Sequence, residues 1–182
     1  EPLVVAGVPP DGFSEDGQLW GNPLYDWPVH ARTGYAWWVE RTRRLQALCD
    51  VIRLDHFRGF ASYWEVPACA LTAREGKWVP GPGAALFRAL EDALGEVPLI
   101  AEDLGEITPD VDELLLETGY PGMRIVQFAY GDDDCEQSFR PENHVERCVA
   151  YTGTHDNQTS VGWYADLDEE TRARACLDVT DP

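Results

Sequence analysis

Lysine is almost absent from this chain. Lys77 stands alone, and the 182 residues carry 33 acidic against 14 basic side chains, a formal net charge of −19. Such a balance repels nucleic acid and anionic membrane, because the electrostatic part of either association is unfavourable. The acids are spread over several segments rather than held in one tail, apart from the short run Asp132-Asp133-Asp134. A lysine-poor acidic surface of this kind suits solubility in a salt-rich cytoplasm. Cysteine is sparse and unpatterned: Cys49, Cys69, Cys135, Cys148 and Cys176 include no C-x-x-C pair and no Cys/His cluster with zinc spacing. They read as reduced thiols, mostly small buried hydrophobes, of a cytoplasmic protein. No apolar run is long enough to span a bilayer and no signal peptide opens the chain. Gly-rich phosphate loops are missing as well, with neither G-x-G-x-x-G nor a Walker sequence present.

Aromatic residues, in contrast, are plentiful. Seven Trp and seven Tyr serve first as packing groups, and flat aromatic faces also line sugar-binding clefts.

Short apolar runs alternate with helical stretches. Leu3–Val8 predicts a strand stopped by Pro9-Pro10, followed by a loop over about 11–28. Trp37–Leu48 has helical spacing and leads into a second strand at Val51–Leu54. After a mixed segment holding Gly59, Pro67, Pro80 and Pro82, a helix is predicted over Ala84–Leu94 and a third strand over Val97–Ala101. Thr108-Pro109-Asp110 starts a helix, with a capping hydroxyl and proline in the first turn, and Gly119 closes it. Met123–Tyr130 and Arg147–Thr152 are the fourth and fifth strands, and Asp168–Leu177 the last helix.

Alternating strand and helix without tight hairpin signals argues for βα units and parallel strands. The chain is therefore read as α/β, a partial (β/α)8 TIM barrel with about five of eight strands, all 182 residues belonging to one catalytic domain. Both ends read as cut: Glu1 directly precedes an apolar strand and Asp181-Pro182 directly follows a helical pattern. An unclosed barrel would leave strand edges bare and fold poorly by itself.

Polar signatures follow the strands, as in barrel enzymes, where the C-terminal strand ends carry the chemistry. Asp55, Glu102 and Asp156 each end a different apolar run. One such acid is normally a helix cap; three in compact polar signatures suggest a converging set. Retaining glycosyl transfer needs such a set: a carboxylate attacks the anomeric carbon, and a second, about 5–5.5 Å away, protonates the leaving oxygen. The proton donor must keep its proton near neutral pH, which burial and a neighbouring acid promote. A third carboxylate favours the cationic transition state. Arg53 shares a strand face with Asp55, two residues on, and would keep it ionised.

Arg53-Leu54-Asp55-His56-Phe57-Arg58-Gly59-Phe60, Ile100-Ala101-Glu102-Asp103-Leu104-Gly105 and Tyr151-Thr152-Gly153-Thr154-His155-Asp156-Asn157 closely resemble three motifs of the α-amylase superfamily. Their wording is similar to that of the 4-α-glucanotransferases, the amylomaltases or disproportionating enzymes. Gly7–Ser14 and Gly17–Tyr25 resemble that family's long active-site loop, absent from ordinary amylases. The resemblance covers nearly the whole chain in the family's order.

What the resemblance implies is a transferase that moves α-1,4-glucan segments to acceptor sugars. Asp55 would be the nucleophile, Glu102 the acid and then the base, and Asp156 the transition-state stabiliser. Arg53 would orient Asp55, His155 would bind hydroxyls of the sugar at the cleavage point, and His56 would lie on the acceptor side. Trp20 and Asp11 would line that side through the loop, which as a lid would hold an acceptor hydroxyl and exclude water. The implied partners are maltooligosaccharides and acceptor sugars; no organic cofactor is needed, since Asp55 holds the intermediate. No metal is implied, and no calcium-loop spacing occurs. The family also implies strands and residues that are not in this chain, among them a tyrosine beneath the sugar. The rival readings are a hydrolytic amylase-type enzyme, a glucan-binding relative without catalysis, and an inactive incomplete gene product. The Gly7–Tyr25 segment speaks against the first and retention of all three acids against the second.

Overall fold

The computed structural model describes residues 2–11, 14–105, 107–130 and 134–179, with side chains at 134–136 and 176–179 outside that description. The acidic run at 132–134 and part of the loop, Gly12 and Phe13, therefore fall largely or wholly outside the described residues, as do the side chains of Cys135 and Cys176. The chain divides into two compact units, Glu1–Tyr120 and Pro121–Pro182.

The first unit runs β1 (Val4–Val8), β2 (Gln18–Pro23), α1 (Trp27–Arg32), α2 (Ala36–Gln46), β3 (Ile52–Leu54), α3 (Arg58–Ala61), β4 (Ser62–Pro67), β5 (Lys77–Pro80), α4 (Ala84–Leu94), β6 (Leu99–Ala101) and α5 (Pro109–Thr118). Its described residues form two sheets. One is a four-stranded antiparallel sheet in the order β2-β1-β4-β5; the other is the parallel pair β3–β6.

Here the structure corrects the expectation from sequence. The first strand belongs to no βα unit: β1 lies antiparallel between β2 and β4. The other three strands of that sheet escaped the apolar pattern. β2 is exposed along its whole length, so it shows no alternation, and it occupies a segment read as loop. β4 and β5 are joined through residues 68–76, with no Asn-Gly or Asp-Gly turn, a connection fastened where Trp64 Nε1 donates to the Ala73 carbonyl at 2.8 Å. Gly7 is required in β1, because a Cβ there would lie 2.5 Å from the Gln18 carbonyl oxygen.

The helices follow the pattern more closely. Trp38, Val39 and Thr42 form the buried stripe of α2, and Leu86, Phe87 and Leu90 that of α4. Pro109 opens α5 and Gly119, in the left-handed conformation, closes it with its N–H on the Leu115 carbonyl at 2.8 Å. The Thr108 hydroxyl, expected to cap α5, bonds the Asp110 carboxylate instead. α2, α4 and α5 share one core with β3 and β6, centred on Phe57, Leu86, Phe87, Ala101 and Val111. At about 1.5–3 kcal/mol per large apolar side chain, this core holds Ile52 of β3 and Leu99 and Ala101 of β6 against the helices.

The second unit contains β7 (Gly122–Ile125) and β8 (Cys148–Tyr151), paired in parallel, then α6 (Ser160–Asp166) and α7 (Glu169–Val179). The expected strand over 123–130 stops at Ile125, and Val126–Tyr130 winds into a 3-10 turn. The cysteine expectation also fails in part: Cys49 and Cys69 are exposed and Cys148 is half-buried. None of the helices among the described residues is long and apolar enough to cross a membrane.

Candidate active site

β3 and β6 run side by side in the register Ile52–Leu99, Arg53–Ile100 and Leu54–Ala101. Their main chains stay paired beyond the strand ends: the Glu102 N–H donates to the Leu54 carbonyl and the Phe57 N–H to the Glu102 carbonyl, each at 3.0 Å. This pairing brings the two signatures together across 46 residues of sequence. Asp55 and Glu102 thereby leave adjacent parallel strands at the same end.

The two carboxyl groups stand in different surroundings. The Asp55 side chain is 79% exposed and that of Glu102 only 11%. One guanidinium links them: Arg53 Nη1 donates to Asp55 Oδ1 at 2.9 Å, and Nη2 lies 4.0 Å from Glu102 Oε2. Arg53 and Asp55 share a face, as the period of a strand requires. Burial raises the pKa of Glu102 above the usual carboxylate range, opposed by main-chain donors and then by Arg53. Those donors are the N–H groups of His56, at 2.6 Å from Oε2, and Leu104, at 2.9 Å from Oε1.

His56 takes a left-handed backbone, φ +50°, uncommon for a residue with a side chain. Burial, and then the nearby Arg58 charge, push its imidazole down to about 4, with Asp55 pulling the other way. The ring is therefore neutral near pH 7. Trp20, from the middle of β2, meets it edge to face, with centroids 4.8 Å apart. A cavity of about 570 Å3 opens here, walled by Trp20, Tyr25, Trp38, Arg53, Asp55 and His56 among others. Its size and mixed aromatic and charged wall suit a ligand as large as an oligosaccharide. Glu102 meets this wall through Arg53 and the His56 amide.

Asp11 accepts the Ser14 N–H at 2.7 Å and so shapes its own turn. Arg74 holds the next residues, reaching Asp16 at 2.7 Å and Glu15 at 3.1 Å.

In the second unit, β8 leads into the Gly153–Asn157 segment. Thr154 donates through both its N–H and its hydroxyl to Asn157 Oδ1, at 2.8 and 2.9 Å, and its hydroxyl oxygen accepts the Asp156 N–H at 3.2 Å. His155 and Asp156 are exposed side by side, Nε2 to Oδ1 3.4 Å. Gly153 is packed so closely that a Cβ would lie 2.6 Å from Gln127 Nε2.

Among the sequence-derived candidates, Arg53, Asp55, His56, Glu102 and Trp20 are thus brought together in the first unit. His155 and Asp156 are neighbours in the second. Sequence reasoning missed the Leu104 amide, and it missed Gly59, whose place beneath the His56 ring leaves no periodic trace. It also missed Tyr25 and Trp38 as cavity wall, since either reads equally well as packing.

Helices packed on a parallel strand pair, with carboxyl groups leaving the strand ends beside an aromatic-walled cleft, define a mixed α/β protein. The chain belongs to the 4-alpha-glucanotransferase family, whose profile matches residues 3–181. It is 54% identical over 165 residues to a 4-alpha-glucanotransferase of Thermus thermophilus, covering 90% of this chain and 33% of that protein. A chloroplastic/amyloplastic 4-alpha-glucanotransferase of Arabidopsis thaliana is 52% identical over 174 residues, 96% of this chain and 30% of that protein. The structure superposes on the amylomaltase of Streptococcus agalactiae, solved in complex with acarbose, with a TM-score of 0.90 at 41% identity, covering 100% of this chain and 37% of that one. The chain thus spans about a third of the length of the relatives it matches.

Proposed function

We propose that this chain carries catalytic machinery of a 4-α-glucanotransferase, which moves α-1,4-glucan segments to an acceptor sugar by retaining double displacement. The observation that carries this reading is the pair Asp55 and Glu102, linked by Arg53, one exposed and the other buried. Two carboxyl groups whose surroundings differ can divide the nucleophile and acid roles between them.

Asp55, ion-paired and open to the cavity, attacks the anomeric carbon; the glycosidic bond breaks and the leaving oxygen takes the Glu102 proton. Burial keeps that proton on Glu102 at a pH where an ordinary carboxyl has lost it. Glu102 then accepts a proton from the incoming acceptor hydroxyl as that oxygen displaces Asp55. Asp156 supports the cationic transition state and His155 binds a hydroxyl of the sugar at the cleavage point. The neutral His56 and Trp20 form the acceptor wall, with Asp11 in the same loop. The parallel pairs β3–β6 and β7–β8, one in each unit, are each of the kind that a partial (β/α)8 barrel contains. Free thiols at the exposed Cys49 and Cys69 support a reducing, cytoplasmic setting, and the glycogen- or starch-derived maltodextrins found there are the substrates of this reading.

The test is incubation of the intact protein with maltotriose, following glucose and longer maltodextrins. A ladder of longer chains appearing with glucose is the expected result. Glucose and maltose alone would make the protein a hydrolase, and no turnover would make it a non-catalytic relative.

A further inference from the structure

Gly59 lies in the first turn of α3. A Cβ on it would sit 3.0 Å from Cδ2 and 3.7 Å from Nε2 of His56, so the imidazole rests on the bare main chain of Gly59. From another side the same ring meets the edge of Trp20. The main chain of His56 is gripped as well. Its N–H donates to Glu102 Oε2 at 2.6 Å, the next N–H, of Phe57, donates to the Glu102 carbonyl, and its own carbonyl accepts the Gly59 N–H at 2.9 Å. A left-handed backbone costs a residue with a Cβ of order 1–2 kcal/mol, so the surroundings of His56 must hold it there.

Resting on the function proposed above, we infer that Gly59 is a positioning residue for Glu102: it seats the His56 ring, and the seated ring holds the left-handed main chain whose N–H clasps the Glu102 carboxyl. The clasp lets the acid be buried yet still ionise when its turn as base arrives, because a donor to the charged form opposes the burial. Among the described residues, the charged groups facing Glu102 are Arg53 and Asp55, from the end of β3, and those facing His56 are Arg58 and the same Asp55.

The test is Gly59→Ala in the intact protein. The added methyl displaces the ring and loosens the N–H from Oε2. Losing that donor moves the Glu102 titration up, so the alkaline limb of the pH profile of kcat/KM moves to higher pH by about one unit. The value of kcat/KM itself falls about tenfold. Adding His56→Gly to Gly59→Ala removes the collision and accepts φ +50° without strain, so the limb moves back while turnover stays low. A limb unmoved in Gly59→Ala, or still displaced in the double variant, overturns the inference. Should Gly59→Ala fail to fold, His56→Val against His56→Gly decides: valine resists the left-handed backbone, and its limb must lie at higher pH than that of the glycine variant. Titration of the Glu102 carboxyl by 13C NMR without substrate reads the same clasp if the protein makes no transfer products, an outcome that would sink the proposed function alone.

Discussion

The amide of His56 donates to Oε2 of Glu102 at 2.6 Å, tying the proposed proton donor to the residue that follows the proposed nucleophile. Acid and nucleophile are thus held by bonds between the adjoining ends of β3 and β6 rather than by two independent loops. Any change that alters the backbone at His56 will be felt at both.

Glu102→Gln removes the transferable proton but keeps the side-chain shape. Transfer from maltotriose should fall by about 10²–10⁴-fold. An α-maltosyl fluoride donor, whose leaving group needs no proton, should recover much of the first step. Fluoride release followed with an ion-selective electrode checks this, and equal loss with both donors would remove Glu102 from the acid role.

Arg53→Lys replaces a fork that reaches both carboxylates, 2.9 and 4.0 Å away, with a single ammonium. The substitution keeps charge but not bidentate reach, so kcat should drop about 10- to 100-fold with little change in melting temperature. A lysine variant as active as wild type would make the Arg53 contacts incidental.

His56 is held neutral, down to about 4, whereas an unfolded histidine binds its proton near 6.5. Between those values the unfolded chain binds more protons, so stability falls as pH falls. By pH 5 the loss from this group alone is about 2 kcal/mol. Urea melts at pH 7 and pH 5 test it: His56→Asn, which tolerates the left-handed backbone and does not titrate, should lose correspondingly less. Equal losses would mean that the ring is protonated in the folded protein.

Trp20→Ala takes away the ring that meets His56 edge to face. In the proposed mechanism this opens the acceptor wall to water. The ratio of transfer to hydrolysis should fall about tenfold, read as ladder products against new reducing ends, while total bond cleavage changes less. An unchanged ratio would deny Trp20 a part in acceptor choice.

Gly153→Ala places a methyl 2.6 Å from Gln127 Nε2, the donor to the Gln158 carbonyl at 3.0 Å. Displacing a buried side chain costs about 1–3 kcal/mol, visible as a lower melting temperature. A variant that melts like the parent would show that Gln127 can move aside freely.

The helices α2, α4 and α5 and the short strands β3 and β6 were legible from residue order alone, because apolar spacing, Pro109 and Gly119 act over a single turn or strand. The motifs around Asp55, Glu102 and Asp156 were legible for the same reason, each being a continuous run. The antiparallel sheet was not. β2 is wholly exposed, and β1 reads the same whether its neighbours are parallel or antiparallel, since alternation does not record the direction of a partner. Tertiary structure alone decided that Arg53 reaches both carboxylates, that burial separates Glu102 from Asp55, and that Gly59 carries the His56 ring. Those relationships depend on distances across tens of residues and on how much water each group keeps, and they arise only when β3 and β6 are drawn together over the core of Phe57, Phe87 and Ala101.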